Sequence, residues 1–280
     1  MTAVAAPELN AVSLGGANRR TVLFVHGMAG TAGLWVLGYA FALAKEYHVV
    51  AYDQRGHGLS PAPPGGYRLA DHADDLERVR RRHTDGPVVV VGYSYGGHIA
   101  TQWAMRYPQS AAGLVILDTP PLPVAANDID AMLDGVSAVL GGDFSPSGGF
   151  IDPLKESLRG DIQRRRRALM NVKARLDVLK QTRFRQEVLS DQPYSDAAFQ
   201  GIACKTALVY SSRAGHHDYA RRQQALVKDC SLAILEGEHD FVIQRADAVA
   251  AALQAFLAEL PDAAWHPAAV PAPALFPVAR

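Results

Sequence analysis

Four consecutive valines, at positions 88–91, run into Gly92-Tyr93-Ser94-Tyr95-Gly96-Gly97. Beyond them Ile99, Ala100, Trp103 and Ala104 recur at helical spacing until Tyr107-Pro108 stops the pattern. A short β-branched run bounded by Gly86-Pro87 and Gly92 is what a central parallel strand, buried on both faces, requires. Ser94 therefore lies on the turn between a strand and a helix. In a Gly-x-Ser-x-Gly turn the serine backbone is strained, and glycines without a Cβ let strand and helix approach closely. The hydroxyl is pushed outward. The helix start behind it offers free N–H groups and a partial positive charge, which suits an oxygen that is gaining negative charge.

The same alternation recurs along the chain. Residues 21–25 form an apolar run ending in His26-Gly27-Met28-Ala29-Gly30, and residues 49–52 another ending in Asp53-Gln54-Arg55-Gly56-His57-Gly58-Leu59-Ser60. Residues 69–83 have a helical apolar face of Leu69, Ala73, Leu76 and Val79. Residues 113–117 are apolar again and end at Asp118-Thr119-Pro120-Pro121. Strand-like 206–210 and 232–235 then alternate with helix-like 219–227 and 246–260. Such a pattern predicts an α/β fold, a mostly parallel sheet flanked by helices. Between positions 120 and 202 the alternation breaks. A Gly- and Pro-containing loop is followed there by a basic helical stretch that keeps Leu169, Val172, Leu176 and Leu179 on one side. The expected organisation is a core of 1–119 and 203–260, a helical lid insertion over 120–202, and a Pro/Ala-rich tail over 261–280 without its own fold.

Charge narrows the partners. The 28 basic and 28 acidic residues balance, so neither nucleic acid nor an acidic membrane surface is an expected partner. No run is long enough to cross a bilayer, and residues 1–7 lack the charged start and apolar centre of a signal peptide. A cytoplasmic location is the expectation.

His26-Gly27, Asp53-x-Arg55-Gly56-x-Gly58-x-Ser60, Gly92-x-Ser94-x-Gly96-Gly97 and Gly237-x-His239 occur in this order. With them the chain resembles the α/β-hydrolase superfamily from about Val12 to Leu260. The resemblance implies Ser94 as nucleophile, His239 as base, and an oxyanion hole made by the backbone N–H groups of Met28 and Tyr95. Chemistry supports the pair independently. A serine hydroxyl is a poor nucleophile at neutral pH and needs a histidine to take its proton. His239 follows the strand at 232–235 through Glu236-Gly237-Glu238, which sets it on a loop at the same sheet edge as Ser94. His26 and His57, in glycine-rich loops, are expected to tie loop to loop, and His98 to pack inside the helix after Ser94.

The third member departs from the family pattern. An acid, often as Gly-x-x-Asp, usually follows the strand before the histidine strand, but here residues 206–210 are followed by Ser211-Ser212-Arg213-Ala214-Gly215. Two aspartates could substitute. Asp118 ends the strand at 113–117 and needs no insertion; Asp218 would serve if His216-His217 lengthen the usual loop. Asp118 is the first choice, because triad geometry and not chain order is what the chemistry requires.

The expected function is cofactor-independent, metal-free hydrolysis of a small or medium apolar ester, thioester or lactone through an acyl-enzyme. Acyl transfer, cyclisation, carbon–carbon bond hydrolysis and ligand binding on the same fold with little turnover are the alternatives. The basic stretch, with Arg164 to Arg167, Lys173, Arg175, Lys180, Arg183 and Arg185, is expected to be the wet face of a lid helix. Docking of an acyl carrier or coenzyme thioester is its other use.

Cys204 and Cys230 each stand at the start of a strand-like run, and those runs should be parallel neighbours. Both thiols then lie at the amino edge, far from Ser94. Thiol titration after unfolding without reductant is expected to find two free cysteines; finding none would mean a bond across adjacent strands.

Overall fold

Alternate valines of 88–91 go to opposite faces of the sheet, as the strand period demands. Val88 and Val90 join an apolar cluster with Leu76, Ile99 and Trp103, while Val89 and Val91 join another with Phe24, Trp35 and Leu253. Each valine buried in this way contributes on the order of 1.5 kcal/mol or more. The protein is described by a computed structural model over residues 7–140 and 162–266. Its strands are β1 (Ala11–Leu14), β2 (Thr21–Val25), β3 (His48–Tyr52), β4 (Val88–Tyr93), β5 (Ala111–Leu117), β6 (Thr206–Ser211) and β7 (Cys230–Leu235). They form one seven-stranded sheet in the order β1-β3-β2-β4-β5-β6-β7. Only β1 is antiparallel to its neighbour. Helices Leu69–His83 and Tyr95–Arg106 cover one face, and Ala246–Ala258 covers the other.

The register decides what meets at the carboxyl edge. Val25 pairs with Gly92, Tyr93 with Leu117, Leu117 with Val209, and Ser211 with Leu235. Loops that follow β2, β4, β5, β6 and β7 therefore start at nearly one level. Thr206 pairs with Cys230, at the opposite edge, and both cysteines are free.

Four features differ from the expectation. β1 has only four residues and is not fully buried, so it lacks a readable apolar pattern. A helical run through Gly33–Trp35, Val36–Ala40 and Phe41–Leu43, with a π-helical middle, is interrupted in sequence by Gly33 and Gly38. The region expected as loop before the basic stretch contains a 15-residue helix, Ala126–Leu140, which buries Ile129, Met132, Leu133, Val136 and Val139. Gly135 in its middle weakens helix propensity, and tertiary burial overrides it. The tail also begins later than expected. Asp262–Trp265 forms a turn of 3-10 helix; Trp265 is buried 6.2 Å from the Tyr47 ring, with the Arg20 guanidinium 5.5 Å over it. The remainder of the tail lies outside the described residues, as do the side chains of Arg164 to Arg167. Among the described residues no helix is long and apolar enough to cross a membrane.

Helix Ile162–Lys180 and the short helix Phe184–Val188 complete the insertion's basic part. Its described cations are mostly paired: Lys180 with Asp134 at 2.8 Å, Arg185 with Asp130 at 2.5 Å, Arg183 with Glu187 at 2.9 Å, and Lys173 with Asp177. Exposed pairs of this kind stabilise little. Firmer fastening comes from carboxylates at the start of Leu69–His83, whose first N–H groups have no partner within the helix. Glu187 Oε2 accepts from Gly66 N at 2.7 Å and Tyr67 N at 2.6 Å, and Asp191 accepts from Leu69 N at 3.2 Å. Burial pushes the Asp191 carboxyl up to about 6, against the Leu69 hydrogen bond that favours its charge.

A raised carboxyl means the folded chain holds a proton that the unfolded chain has already lost between about pH 4 and 6. The Asp191 contribution to stability is thus most favourable below about pH 4 and declines as pH rises through 6. Asp191→Asn should gain stability relative to the wild type across that window and level off above it. Denaturation midpoints of both proteins at pH 4, 5, 6 and 7 measure this, and a difference that is flat with pH contradicts it.

Candidate active site

Ser94 sits at φ 53° and ψ −123°, directly after β4 and before Tyr95–Arg106. Two glycines make this possible. A Cβ on Gly92 would overlap the Gly96 carbonyl, and one on Gly96 would overlap the carbonyls of Val25 and His26. Ser94 N donates to Leu117 O at 2.9 Å, and Thr119 Oγ1 donates to Ser94 O at 2.9 Å, so the turn is stapled to the end of β5. The side chain is free to face the cavity.

His239 Nε2 lies 3.0 Å from Ser94 Oγ, and His239 Nδ1 lies 3.0 Å from Asp118 Oδ2. A carboxylate only accepts, so Nδ1 carries the proton and Nε2 turns a lone pair to the serine hydroxyl. This is the tautomer a general base needs. Asp118 is fully buried at φ 46° and accepts from Ser211 N at 3.1 Å and Ser211 Oγ at 2.9 Å. Asp218, the alternative acid, is elsewhere. It is fully exposed and bound to Arg221 at 3.1 Å, because it lies in the first turn of helix His217–Leu226 and faces water.

The oxyanion candidates also converge. Gly27 packs on Ser94, where a Cβ would come within 3.1 Å of the serine Cβ, and Gly30 N donates to Gly27 O at 3.1 Å to close a turn over Met28 and Ala29. Met28 and Tyr95 both line the cavity beside Ser94. Neither of their N–H groups donates in the loop and turn hydrogen bonds of the described residues.

Other motif residues are structural. Asp53 accepts from Ala32 N at 2.8 Å, Leu59 N at 3.0 Å and Asn10 Nδ2 at 2.8 Å, and Ser60 Oγ donates to Asp53 O at 2.6 Å. Arg55 pairs with buried Asp75 at 2.6 Å. His26, His57 and His98 are all buried, which lowers their pKa to about 3, about 4 and about 3 respectively. They are neutral scaffolding.

Sequence reasoning missed Ser211 and Tyr93. Ser211 ends β6, just before the loop where the resemblance implied an acid, and supplies two donors to Asp118 instead. Tyr93 OH donates to His239 O at 2.8 Å, with the two rings 5.1 Å apart. The missing Gly-x-x-Asp was a usable signal for Ser211; nothing in the sequence marks Tyr93.

A cavity of about 520 Å³ opens beside Ser94 and His239. Its apolar wall comes from Met28, Pro120, Val124, Ile129 and Met132, with Asp128, Arg213 and Glu238 among its polar residues. The insertion thus contributes through Ala126–Leu140. Leu169, Leu176 and Leu179 of the basic helix are buried in the core cluster and do not line it.

A family model described as alpha/beta hydrolase fold matches residues 20–139. An enol-lactonase from Burkholderia xenovorans LB400 superposes with a TM-score of 0.72 over 92% of this chain and 99% of that one, at 20% identity. This is the α/β-hydrolase fold. A thermophilic esterase from Thermogutta terrifontis shares it as well, with a TM-score of 0.68, 19% identity, and coverage of 91% and 94%. By sequence, the chain is 32% identical over 117 residues to a 2-(acetamidomethylene)succinate hydrolase of Mesorhizobium japonicum, covering 42% of this chain and 41% of that protein. The matches to the first curated relatives span well under half of those proteins' own length, 36% and 41% for two of them.

If Asp118 orients His239, Asp118→Asn should lower turnover by roughly a thousandfold or more, because the amide favours the wrong imidazole tautomer. Asp218→Asn should cost less than about tenfold. Steady-state rates of both variants decide between the two acids.

Proposed function

We propose that the protein is a serine hydrolase that cleaves a small or medium apolar ester, thioester or lactone through an acyl-enzyme. The observation that carries this reading is the unbroken line of hydrogen bonds from Asp118 through His239 to Ser94, ending in the cavity. In the proposed cycle Ser94 Oγ attacks the acyl carbonyl while His239 Nε2 takes its proton. Met28 N–H and Tyr95 N–H stabilise the oxyanion, aided by the start of helix Tyr95–Arg106. His239 then returns the proton to the leaving oxygen or sulfur, and water repeats the sequence to release Ser94.

The cavity suits this substrate class. A volume of about 520 Å³ with a wall of methionine, valine, isoleucine and proline accommodates a medium acyl chain. The similar proteins include an enol-lactonase and a 2-(acetamidomethylene)succinate hydrolase, which supports testing lactones and amide-bearing acids beside simple esters. An acyl carrier or coenzyme thioester remains a proposed partner. The described cations Lys173, Lys180, Arg183 and Arg185 are engaged with acids, and the side chains of Arg164 to Arg167 lie outside the described residues.

Ser94→Ala should abolish labelling by a fluorophosphonate and all turnover while leaving the thermal midpoint close to that of the wild type. Triad members act as a unit, so His239→Ala should lose on the order of a thousandfold or more. Undiminished ester hydrolysis in either variant removes its assigned role, and a panel of acyl chain lengths on the wild type reports the pocket's reach.

A further inference from the structure

The turn from Gly27 to Gly30 is held from behind by two neutral imidazoles. His26 Nδ1 donates to Gly27 O at 2.7 Å, and its Nε2 accepts from Gln54 N at 3.1 Å. His57 comes from the other loop. Its Nδ1 faces Arg55 O at 3.0 Å, so that nitrogen is the donor, and Nε2 is left as a lone pair that accepts Ala29 N–H at 3.2 Å. Ala29 has φ 58°, a backbone conformation disfavoured for a residue with a Cβ. Such a conformation persists only where its surroundings over-determine it. Here the Gly30 to Gly27 bond closes the turn that contains Met28 and Ala29, and the His57 bond holds the Ala29 N–H.

We propose that His57 is a positioning residue for the oxyanion hole: its Nε2 lone pair takes the Ala29 N–H and thereby fixes the turn that presents the Met28 N–H to Ser94. The role requires a neutral ring, since an imidazolium would set one N–H against another. Burial keeps the His57 pKa at about 4, and Arg175 of helix Ile162–Lys180 adds to this, while the Arg55 carbonyl and Asp53 act in the opposite sense. The His26 ring lies 5.3 Å away and is neutral too.

The proposal rests on the serine-hydrolase reading, and two variants separate the two ideas. Asparagine at 57 keeps a donor toward Arg55 O but is too short to reach Ala29; glutamine reaches Ala29 with an acceptor oxygen. Exhaustive labelling with a fluorophosphonate counts the competent sites, and the rate of labelling per site reports the chemistry. His57→Asn is expected to label, and to turn over an ester, roughly thirtyfold to a hundredfold more slowly per site with KM nearly unchanged, as displaced catalytic donors do. His57→Gln should recover most of that loss. Should the asparagine variant yield no titratable sites, His57→Met, which fills similar space without a comparable acceptor, takes its place with the same expectation. Equal rates per site in wild type, His57→Asn and His57→Gln overturn the role of His57 alone. A wild type that takes no label overturns the serine-hydrolase reading and this role with it.

Discussion

A carboxylate with no exposed surface sits at the centre of this fold. Burying a carboxylate without partners is so unfavourable that its surroundings must supply donors. Asp118 receives three: Ser211 N, Ser211 Oγ and His239 Nδ1. β6, paired beside β5, supplies two of these donors, and the loop after β7 supplies the third. Tyr93, one residue before Ser94, holds the same loop through the His239 carbonyl. The hydrogen bonds around Asp118 therefore satisfy a desolvated charge as well as fix the orientation of the His239 ring.

Backbone strain is concentrated in the same place. Among the described residues, the three non-glycine residues with positive φ are Ala29, Ser94 and Asp118. They follow β2, β4 and β5, three adjacent parallel strands. Each is held by hydrogen bonds from another element: His57 for Ala29, Thr119 and Leu117 for Ser94, Ser211 and Val209 for Asp118. Strain of this sort is sustained by its surroundings and aims groups that an unstrained chain would point elsewhere.

Much of the core was legible because its signals are local. The valines at 88–91 and the apolar face of Leu69–His83 are contiguous patterns that need no knowledge of the rest. Ser94 and His239 were legible through glycine spacing, which is also local. What escaped depends on distant partners. Ala126–Leu140 contains a glycine and starts among prolines, and its helicity comes from burying Ile129 and Met132 against the cavity and the core. Ser211 acquires meaning only beside Asp118, 93 positions away in sequence. Spacing favoured Asp118 over Asp218, since Asp118 needs no inserted residues, but the burial of one side chain and the exposure of the other could not be read from it.

The insertion leaves the sheet after β5 and returns at β6, and these two strands are zipped together by the pairing of Leu114 through Leu117 with Thr206 through Val209. Its two stems are thus clamped by the sheet itself, one step from the aspartate. The matched family model ends at residue 139, within the insertion. A segment held in this way can change its length and composition without shifting the strand ends that carry Asp118 and Ser211. The arrangement makes the insertion an interchangeable cassette, whose contribution to the cavity wall can vary over an unchanged set of strand ends.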